Sequence, residues 1–246
     1  MTNGDASTGR EAAPRFFGTL GNLYVAPSEA FAAILKRPTI WAPLLLAMAL
    51  NVVFSVAWLQ KVDAEAYMKA RLAESPQARD MPAEQRAMIV EQRAKMLPVY
   101  AGIGPVAVVI VALVVAGALV FVFRFFFAGE VTFRQGLAMT SWVFVVLGIV
   151  TLPLTYLTLY LKDDWTLNPQ EVLQANPSLL FERGQVAAPI FSLLGSLDLF
   201  SFWGMALLAV GFGLASRKPL RSALWGVGLP WLLYVLAKAA LAAKFG

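Results

Sequence analysis

Five stretches of apolar residues, each long enough to cross a membrane, dominate the sequence. A transmembrane helix needs about 17–25 mainly apolar residues to cross hydrocarbon about 30 Å thick. With 59% of the chain hydrophobic and 14% charged, too little polar surface remains to solvate so many apolar helices in water. The sequence therefore predicts an all-α polytopic membrane protein with five transmembrane helices. The spans are expected at residues 40–59, 100–123, 137–161, 196–216 and 222–241.

The short loops between the spans predict an orientation, because cytoplasmic loops carry an excess of lysine and arginine. Basic residues precede span one, separate spans two and three, and fill the tight turn between spans four and five. The other side has basic residues that are nearly balanced by acids. We therefore expect a cytoplasmic N-terminus and an outside C-terminus. Residues 1–39 contain no apolar signal core, so span one is expected to direct insertion itself. The basic residues on the expected inner side are Arg10, Arg15, Lys36, Arg37, Arg124, Arg134, Arg217, Lys218 and Arg221.

An N-terminal arm, residues 1–39, precedes the membrane domain, residues 40–246. Pro27 starts a short helix in which Phe31 and Ile34 share one face, and Pro38 ends it. This pattern predicts an interfacial helix on the membrane surface. The arm is either a tether for span one or a docking site for a cytoplasmic partner.

Residues 61–98 form the largest segment outside the spans and are predicted to be a helical hairpin on the outer side. Nothing interrupts helix between span one and Glu74, so span one is expected to continue beyond the membrane. Pro76 then breaks the chain and Pro82 restarts it. A weak stripe that includes Met88 and Met96 leaves two interpretations, a solvated spacer or an adaptable face for a partner.

The outer loop 162–188 is acidic and contains two repeated turn signals. Asn168-Pro169 and Asn176-Pro177 each place a capping residue before a proline at the first helical position, which predicts short helices at 169–174 and 177–181. The loop lacks the dense alternating oxygen ligands of a calcium loop, so a solvated acidic rim is favoured over a cation site. The acids are Asp163, Asp164, Glu171 and Glu182.

Asp198 lies at the start of span four and allows two interpretations. If the helix begins near Ser196, Asp198 caps its first turn, where amide N–H groups and the helix dipole favour a carboxylate. If the helix begins at Pro189, Asp198 is an intramembrane acid that needs a partner. The first is favoured, and Lys162 is the nearest basic candidate. Lys238, near the end of span five, is expected to extend to the headgroups.

The other polar residues in the spans are few and uncharged. Hydrogen bonds from one helix to another explain them better than a solute path does. Gly211 with Ala215, and Ser222 with Gly226, are small residues spaced four apart and predict close packing of spans four and five. The polar residues are Asn51, Ser55, Thr140, Ser141, Thr151, Thr155 and Thr158.

Catalysis is not expected from this composition. The chain contains no histidine and no cysteine, which removes imidazole bases, thiol chemistry and most zinc or haem sites. The segment from Gly195 to Asp198 only half resembles the motif of intramembrane aspartyl proteases, and no other span carries an acid. No phosphate-binding glycine loop is present. We therefore expect no enzyme activity, no cofactor, no metal and no nucleic-acid partner.

Several short motifs occur in an order that resembles a known family. They are the Tyr24-to-Pro38 pattern before span one, Gly129 to Gln135 before span three, Asn176-Pro177 in the outer loop, and Leu197 to Trp203 in span four. Together with five spans, they resemble the bacterial branch of the YIP1 family of membrane proteins. The resemblance implies the same five-span fold and a bacterial inner membrane.

Eukaryotic members of that family are associated with Rab-type GTPases, vesicle formation and the Golgi, whereas bacterial members largely lack an assigned activity. The short N-terminal arm of this chain contains no DLYGP-like motif. GTPase binding is therefore not carried over to this chain, because a shared fold does not by itself supply a function.

These observations favour a non-enzymatic membrane scaffold that binds membrane-protein partners or lipids. The alternative is a small transporter or lipid-handling protein in which Asp198 lies on a polar path. Expected partners are the lipid bilayer and another membrane protein, and the sequence leaves homo-oligomerisation open. The candidate functional residues are Asp198, Trp203, Asn51, Glu130, Arg134, Asn176 and Pro177.

Overall fold

The fold is all-α. A computed structural model of the chain describes residues 16–75, 78, 81–173, 175–181 and 185–245. Residues 1–15, Pro76 and Glu182, which carry predicted basic, turn or acidic roles, lie outside the described residues. A short 3-10 helix, Pro177–Leu180, lies between α8 and α9. The α-helices are α1 (Phe16–Val25), α2 (Pro27–Lys36), α3 (Trp41–Leu59), α4 (Ala64–Ala73), α5 (Ala83–Lys95), α6 (Leu97–Phe125), α7 (Phe133–Lys162), α8 (Pro169–Val172), α9 (Ala188–Ser196), α10 (Leu199–Ser216) and α11 (Leu220–Phe245).

Five helices, α3, α6, α7, α10 and α11, are long and apolar enough to cross a membrane. The prediction of five spans from the sequence is confirmed, and α6, α7 and α11 extend a few residues beyond their predicted limits. The start of α7 is fixed by a capping box, in which the Thr132 hydroxyl accepts from the backbone N–H of Gln135 at 3.2 Å and the Gln135 side chain accepts from the N–H of Thr132.

The bundle has two distinct ends. We call the end at which α3 and α7 begin the arm end, and the opposite end, which carries α4, α5, α8 and α9, the loop end. Helix α7 is central, since 50% of its apolar stretch is buried in protein against 22–44% in the other four spans. The main core surrounds it near the arm end, where Met139, Phe123 and Phe212 are fully buried.

Helices α1 and α2 form a helical arm that packs against α7 and α10. Leu23 and Phe31 are fully buried in the main core. The Phe16 ring lies 4.6 Å from the Trp142 ring, centroid to centroid. The apolar face of the arm is thus covered by protein, because α7 and α10 offer it a matching groove. Its location at a membrane surface stays a prediction.

Gly211 of span four and Gly226 of span five each pack against an aromatic ring. A Cβ on Gly211 would lie 3.0 Å from the Phe31 ring, and a Cβ on Gly226 would lie 2.7 Å from the Phe123 ring. Spans four and five do pack closely, as predicted, but Gly211 and Gly226 are not the residues at which α10 and α11 meet. Those helices approach instead at Gly213, whose Cβ would lie 3.1 Å from that of Ala223.

Helices α4 and α5 pack against each other at the loop end. Helix α3 stops at Leu59, so the expectation that it continues to Glu74 is wrong. Asp63 is the physical reason, since its carboxylate accepts hydrogen bonds from the N–H groups of Glu65 and Ala66 at 3.0 Å and starts a new helix. The Trp58 and Tyr67 rings, 5.1 Å apart, hold α4 onto the bundle.

The acidic loop folds around its two asparagines. Asn168 and Asn176 accept hydrogen bonds from the N–H groups of Gln170 and Ser178, at 3.1 and 3.0 Å, and start α8 and the 3-10 helix. Both elements are slightly shorter than predicted. Helix α9 then packs along the loop-end half of α11.

Candidate functional site

The loop-end half of the bundle encloses a cavity of about 1240 Å³. It lies between α3, α6 and α7 on one side and α9 and α11 on the other. Helices α6 and α11 meet near the arm end, where the Phe123 ring fills the space beside Gly226, and the cavity separates them farther along. Pockets for drug-sized ligands occupy about 300–1,000 Å³, so this cavity has room for part of a large amphipathic molecule.

Residues of α6 and α11 that line the cavity also reach the surface of the protein. Tyr100 and Ile103 of α6 line the cavity and remain 47% and 54% exposed. Lys238 and Ala242 of α11 line the opposite side, and Lys238 is exposed. Both helices belong to the five apolar spans, so this part of the cavity lining is flanked by apolar surface.

Asp198 borders the cavity at a break in span four. Helix α9 ends at Ser196, and Asp198 is the N-cap of α10. Its Oδ1 accepts from the backbone N–H of Ser201 at 2.9 Å, and its Oδ2 accepts from the Ser201 hydroxyl. The expected capping role is confirmed. A helix also precedes it from Ala188, near the alternative start, but Leu197 and Asp198 interrupt that helix.

The length of α10 gives the level of Asp198 in the bundle. Its 18 residues extend about 27 Å at ~1.5 Å per residue, close to the ~30 Å of hydrocarbon in a bilayer. A membrane that begins at the arm end of α10 therefore ends near Asp198. The cavity lies at that boundary.

Three polar side chains of the cavity lining, Asn51, Thr151 and Asp198, lie at about the same level along the bundle. Contacts between Leu50 and Gly148, and between Leu147 and Gly204, place Asn51, Thr151 and the start of α10 within about two helical turns along the axis. Asn51 Nδ2 donates to the Ala47 carbonyl at 2.9 Å. Thr151 Oγ1 donates to the Leu147 carbonyl at 3.0 Å. We call Asn51, Thr151 and Asp198, all of which line the cavity, the cavity floor.

Two other residues of the cavity lining carry buried hydrogen-bond donors. Trp58 lines the cavity and is 5% exposed, and its Nε1 has no hydrogen-bond partner among the described residues. The Ser192 hydroxyl of α9 is buried and equally without a partner in that part of the chain. A buried donor left unpaired costs about 1–3 kcal/mol, so each of these two donors gains free energy when it finds a partner.

Lys238 is the basic residue that shares the cavity with Asp198. The Phe202 and Trp231 rings, 5.7 Å apart, set the register of α10 and α11. From that contact Lys238 lies about 5 Å nearer the loop end than Asp198 at ~1.5 Å per residue. Lys162, the expected basic neighbour, does not line the cavity, because α7 carries it past the cavity. No ion pair within 4.0 Å joins Lys238 and Asp198, both of which are described.

The structure brings together three of the sequence-predicted site residues, Asn51, Asn176 and Asp198, which all line the cavity. Pro177 starts the 3-10 helix beside it without lining it. Trp203 lies away from it and packs on Tyr24, with ring centroids 5.7 Å apart.

Glu130 and Arg134 lie at the arm end, distant from the cavity, and both are exposed. Glu130 borders a smaller hollow of about 350 Å³. The motif around them is explained structurally by the capping box of α7 and by Gly129, where a Cβ would lie 2.7 Å from Ser216.

Sequence reasoning missed Lys238, Trp58 and Ser192 as cavity residues. One signal was available for Lys238, since spans four and five are consecutive and hold the two charges found within the five predicted spans. Trp58 and Ser192 gave no signal, because an unpaired donor is visible only once its surroundings are known.

The acidic loop does not form a metal site in the described part of the chain, where no group of three or more acidic residues is placed to hold an ion.

The sequence was also compared with known proteins. No curated protein and no solved structure matches the chain. A family model described as the Yip1 domain matches residues 21–241, which include both helices of the arm, in part or whole, and all five spans. The chain therefore belongs to the Yip1 domain family.

Proposed function

We propose that this integral membrane protein is a lipid-handling protein that takes the headgroup region of a phospholipid into the loop-end cavity. One observation carries the proposal. A large cavity at the expected membrane boundary holds polar side chains, and its lining includes exposed residues of two apolar spans, α6 and α11. Lipid diffusing in the bilayer reaches these exposed residues directly, and its acyl chains remain against α6 and α11.

The packing of the arm-end half of the bundle supports lipid binding rather than transport of a solute across the membrane. Below the cavity, Phe123, Met139, Trp142 and Phe212 are at most 2% exposed and fill the bundle. A solute path needs access from both sides of the membrane, whereas this cavity is closed toward the arm end by packed side chains. The polar residues of the spans also fit this view, since the Thr151 hydroxyl donates to a carbonyl of its own helix.

Two glycines of α6 provide a matched test. Gly104 lines the cavity and Gly102 does not, and a Cβ at either position meets nothing within 4 Å. Gly104→Phe is expected to fill the cavity and remove lipid retained through purification, as measured by native mass spectrometry. Gly102→Phe is expected to retain it. Equal lipid on both variants, or none on the native chain, would contradict the proposal.

A scaffold function is a second candidate, and the exposed surface of α5 is the observation that favours it. Among its 13 residues only Ala94 is buried, while Met88 is 68% exposed and no residue of α5 lines the cavity. A partner on this face would be lost in Met88→Glu while lipid retention is unchanged. If a protein that co-purifies with the native chain also co-purifies with Met88→Glu, α5 is not its contact.

We further propose a bacterial inner membrane, with the arm end cytoplasmic. This proposal is supported by the basic residues at that end, which include Lys36, Arg124, Arg134 and Arg221.

A further inference from the structure

We propose that the cavity recognises the phosphate ester of a primary amine, the headgroup of an ethanolamine phospholipid, with the ammonium at Asp198 and the phosphate at Lys238. This inference rests on the proposed lipid-handling function and specifies the lipid class. It follows from the placement of acceptors, donors and the opposite charges of Asp198 and Lys238 within one cavity.

The cavity floor presents acceptors. Asn51 Nδ2 donates a hydrogen bond to the Ala47 carbonyl, and the Thr151 hydroxyl donates one to the Leu147 carbonyl. The amide oxygen and the hydroxyl lone pairs therefore remain. Asp198 adds two carboxylate oxygens, each of which has accepted one hydrogen bond from Ser201 and has capacity for more. A group that carries several N–H donors and a positive charge matches this set.

The other side of the cavity presents donors. Lys238 lies about 5 Å nearer the loop end than Asp198 at ~1.5 Å per residue, and its ammonium is a compact charge suited to phosphate. Trp58 Nε1 and the Ser192 hydroxyl are buried donors that lack partners in the described chain. These donors are independent of the helix cap at Asp198, and an oxygen acceptor is the partner that either would take.

Four charged side chains of the described residues line the cavity, Glu74, Glu171, Asp198 and Lys238. Glu74 is paired with Arg71 at 2.9 Å. Asp198 and Lys238 are arranged for a zwitterion. Asp198 and Lys238 line one cavity but are not joined by an ion pair within 4.0 Å in this described region. A zwitterionic headgroup neutralises both at once. A glycerol headgroup lacks the cation that Asp198 requires, and a choline headgroup has no N–H to donate to the floor.

The test compares lipids of identical acyl chains on the purified full-length protein by native mass spectrometry. The probes are phosphatidylethanolamine, phosphatidylcholine and phosphatidylglycerol at equal concentration. We expect phosphatidylethanolamine to bind about tenfold or more tightly than either of the others, the magnitude of a charge-assisted hydrogen bond.

Two variants with matched controls assign the residues. Asp198→Asn keeps the helix cap but removes the charge, and should abolish the preference for phosphatidylethanolamine. Asp63→Asn makes the same change at the cap of α4, outside the cavity, and should leave the preference intact. Lys238→Gln should weaken all three lipids, whereas Lys162→Gln should not.

The outcomes separate this inference from the proposed function. If no lipid binds, both fail. If lipid binds and Gly104→Phe removes it, but phosphatidylglycerol competes equally or Asp198→Asn retains the preference, only the headgroup assignment is overturned. Glycerophosphoethanolamine has the same headgroup but no acyl chains, so it distinguishes a lipid ligand from a soluble amine phosphate. Weak competition by it supports a lipid site, and binding as tight as that of the lipid overturns the lipid assignment in favour of a soluble amine phosphate.

Discussion

The Tyr24 hydroxyl donates a hydrogen bond of 2.8 Å to the backbone carbonyl of Val146. Val146 lies 13 residues beyond Phe133, the first residue of α7, so the contact is about 20 Å along that helix at ~1.5 Å per residue. The tip of the arm therefore reaches the middle of the bundle. The same tyrosine ring packs on Trp203, which gives that candidate residue a structural role.

Tyr24→Phe removes this hydrogen bond and keeps the ring. We expect a loss of about 0.5–1.5 kcal/mol in the free energy of unfolding, the ordinary net value of one hydrogen bond. Thermal unfolding in mild detergent measures it. Tyr234→Phe, at a position 63% exposed, is the control and should be neutral. Equal melting of the native chain and Tyr24→Phe would show that the hydrogen bond contributes nothing.

Gly211→Ala tests the contact between the arm and α10. The added Cβ would lie 2.9 Å from the Met139 sulfur and 3.0 Å from the Phe31 ring, both of which are fully buried. We expect a destabilisation of about 1–3 kcal/mol, typical of overpacking. In Gly228→Ala the Cβ meets nothing within 4 Å, so the higher helix propensity of alanine should leave stability unchanged or raised. Identical melting of the two variants would contradict this packing.

Asp198 variants separate capping from charge in stability measurements. Asp198→Ala removes the hydrogen bonds to Ser201 and should cost about 0.5–2 kcal/mol, whereas asparagine caps as well as aspartate does. Asp198→Asn should therefore unfold like the native chain in the absence of added lipid. A large loss in Asp198→Asn would mean that the charge itself stabilises the fold.

Labelling of introduced cysteines tests the orientation of the protein in the membrane. Because the native chain contains no cysteine, any labelling comes from the introduced residue. Met88→Cys lies at the loop end and Glu130→Cys at the arm end, and both positions are exposed. In intact cells, a membrane-impermeant maleimide should label Met88→Cys and should label Glu130→Cys only after lysis. The reverse pattern would invert the proposed topology.

The pair formed by Glu91 and Lys95 predicts a pH dependence for α5. Their hydrogen bond of 2.7 Å lowers the pKa of Glu91, and the attraction between the charges lowers that pKa further. The pKa of Glu91 is lower in the folded protein than in the unfolded chain. The stabilisation of α5 by this pair is therefore present above the ordinary glutamate pKa and is lost as the pH falls through the lowered pKa. The same hydrogen bond raises the pKa of Lys95, so the stabilisation is also lost as the pH rises through that raised value.

Hydrogen exchange of the α5 amides, corrected for its intrinsic pH dependence, measures this effect. Protection should fall between about pH 5 and pH 3 in the native chain and change less in Glu91→Gln. Glu84→Gln, at the start of α5, is the control. The same fall in all three proteins would assign the effect to other groups.

The spans were predictable because each depends on the composition of a continuous segment. The cap at Asp198 was predictable for the same reason, since capping is a local interaction within three residues. The depth of the arm was not, because the pattern around Phe31 shows an apolar face but not what covers it. Tyr24 and Val146 are 122 residues apart in sequence, and no local pattern links them.

The cavity was only partly predictable. Asn51 and Asp198 attracted attention as polar residues in apolar spans, but a polar residue alone does not show whether it meets a helix or an empty space. Lys238 was expected to leave the bundle for the headgroups. Its placement opposite Asp198 depends on the register between α10 and α11, which the contact between Phe202 and Trp231 sets.

The burial of the arm also constrains the order of assembly during synthesis. Phe31 leaves the ribosome long before its partner residues Met139 and Gly211 exist. The first helices made are therefore among the last that can reach their final place. Until α10 has been inserted, the apolar face that contains Leu23 and Phe31 must rest on lipid or on an insertion factor. A nascent chain that stops before α10 will present this face to its surroundings.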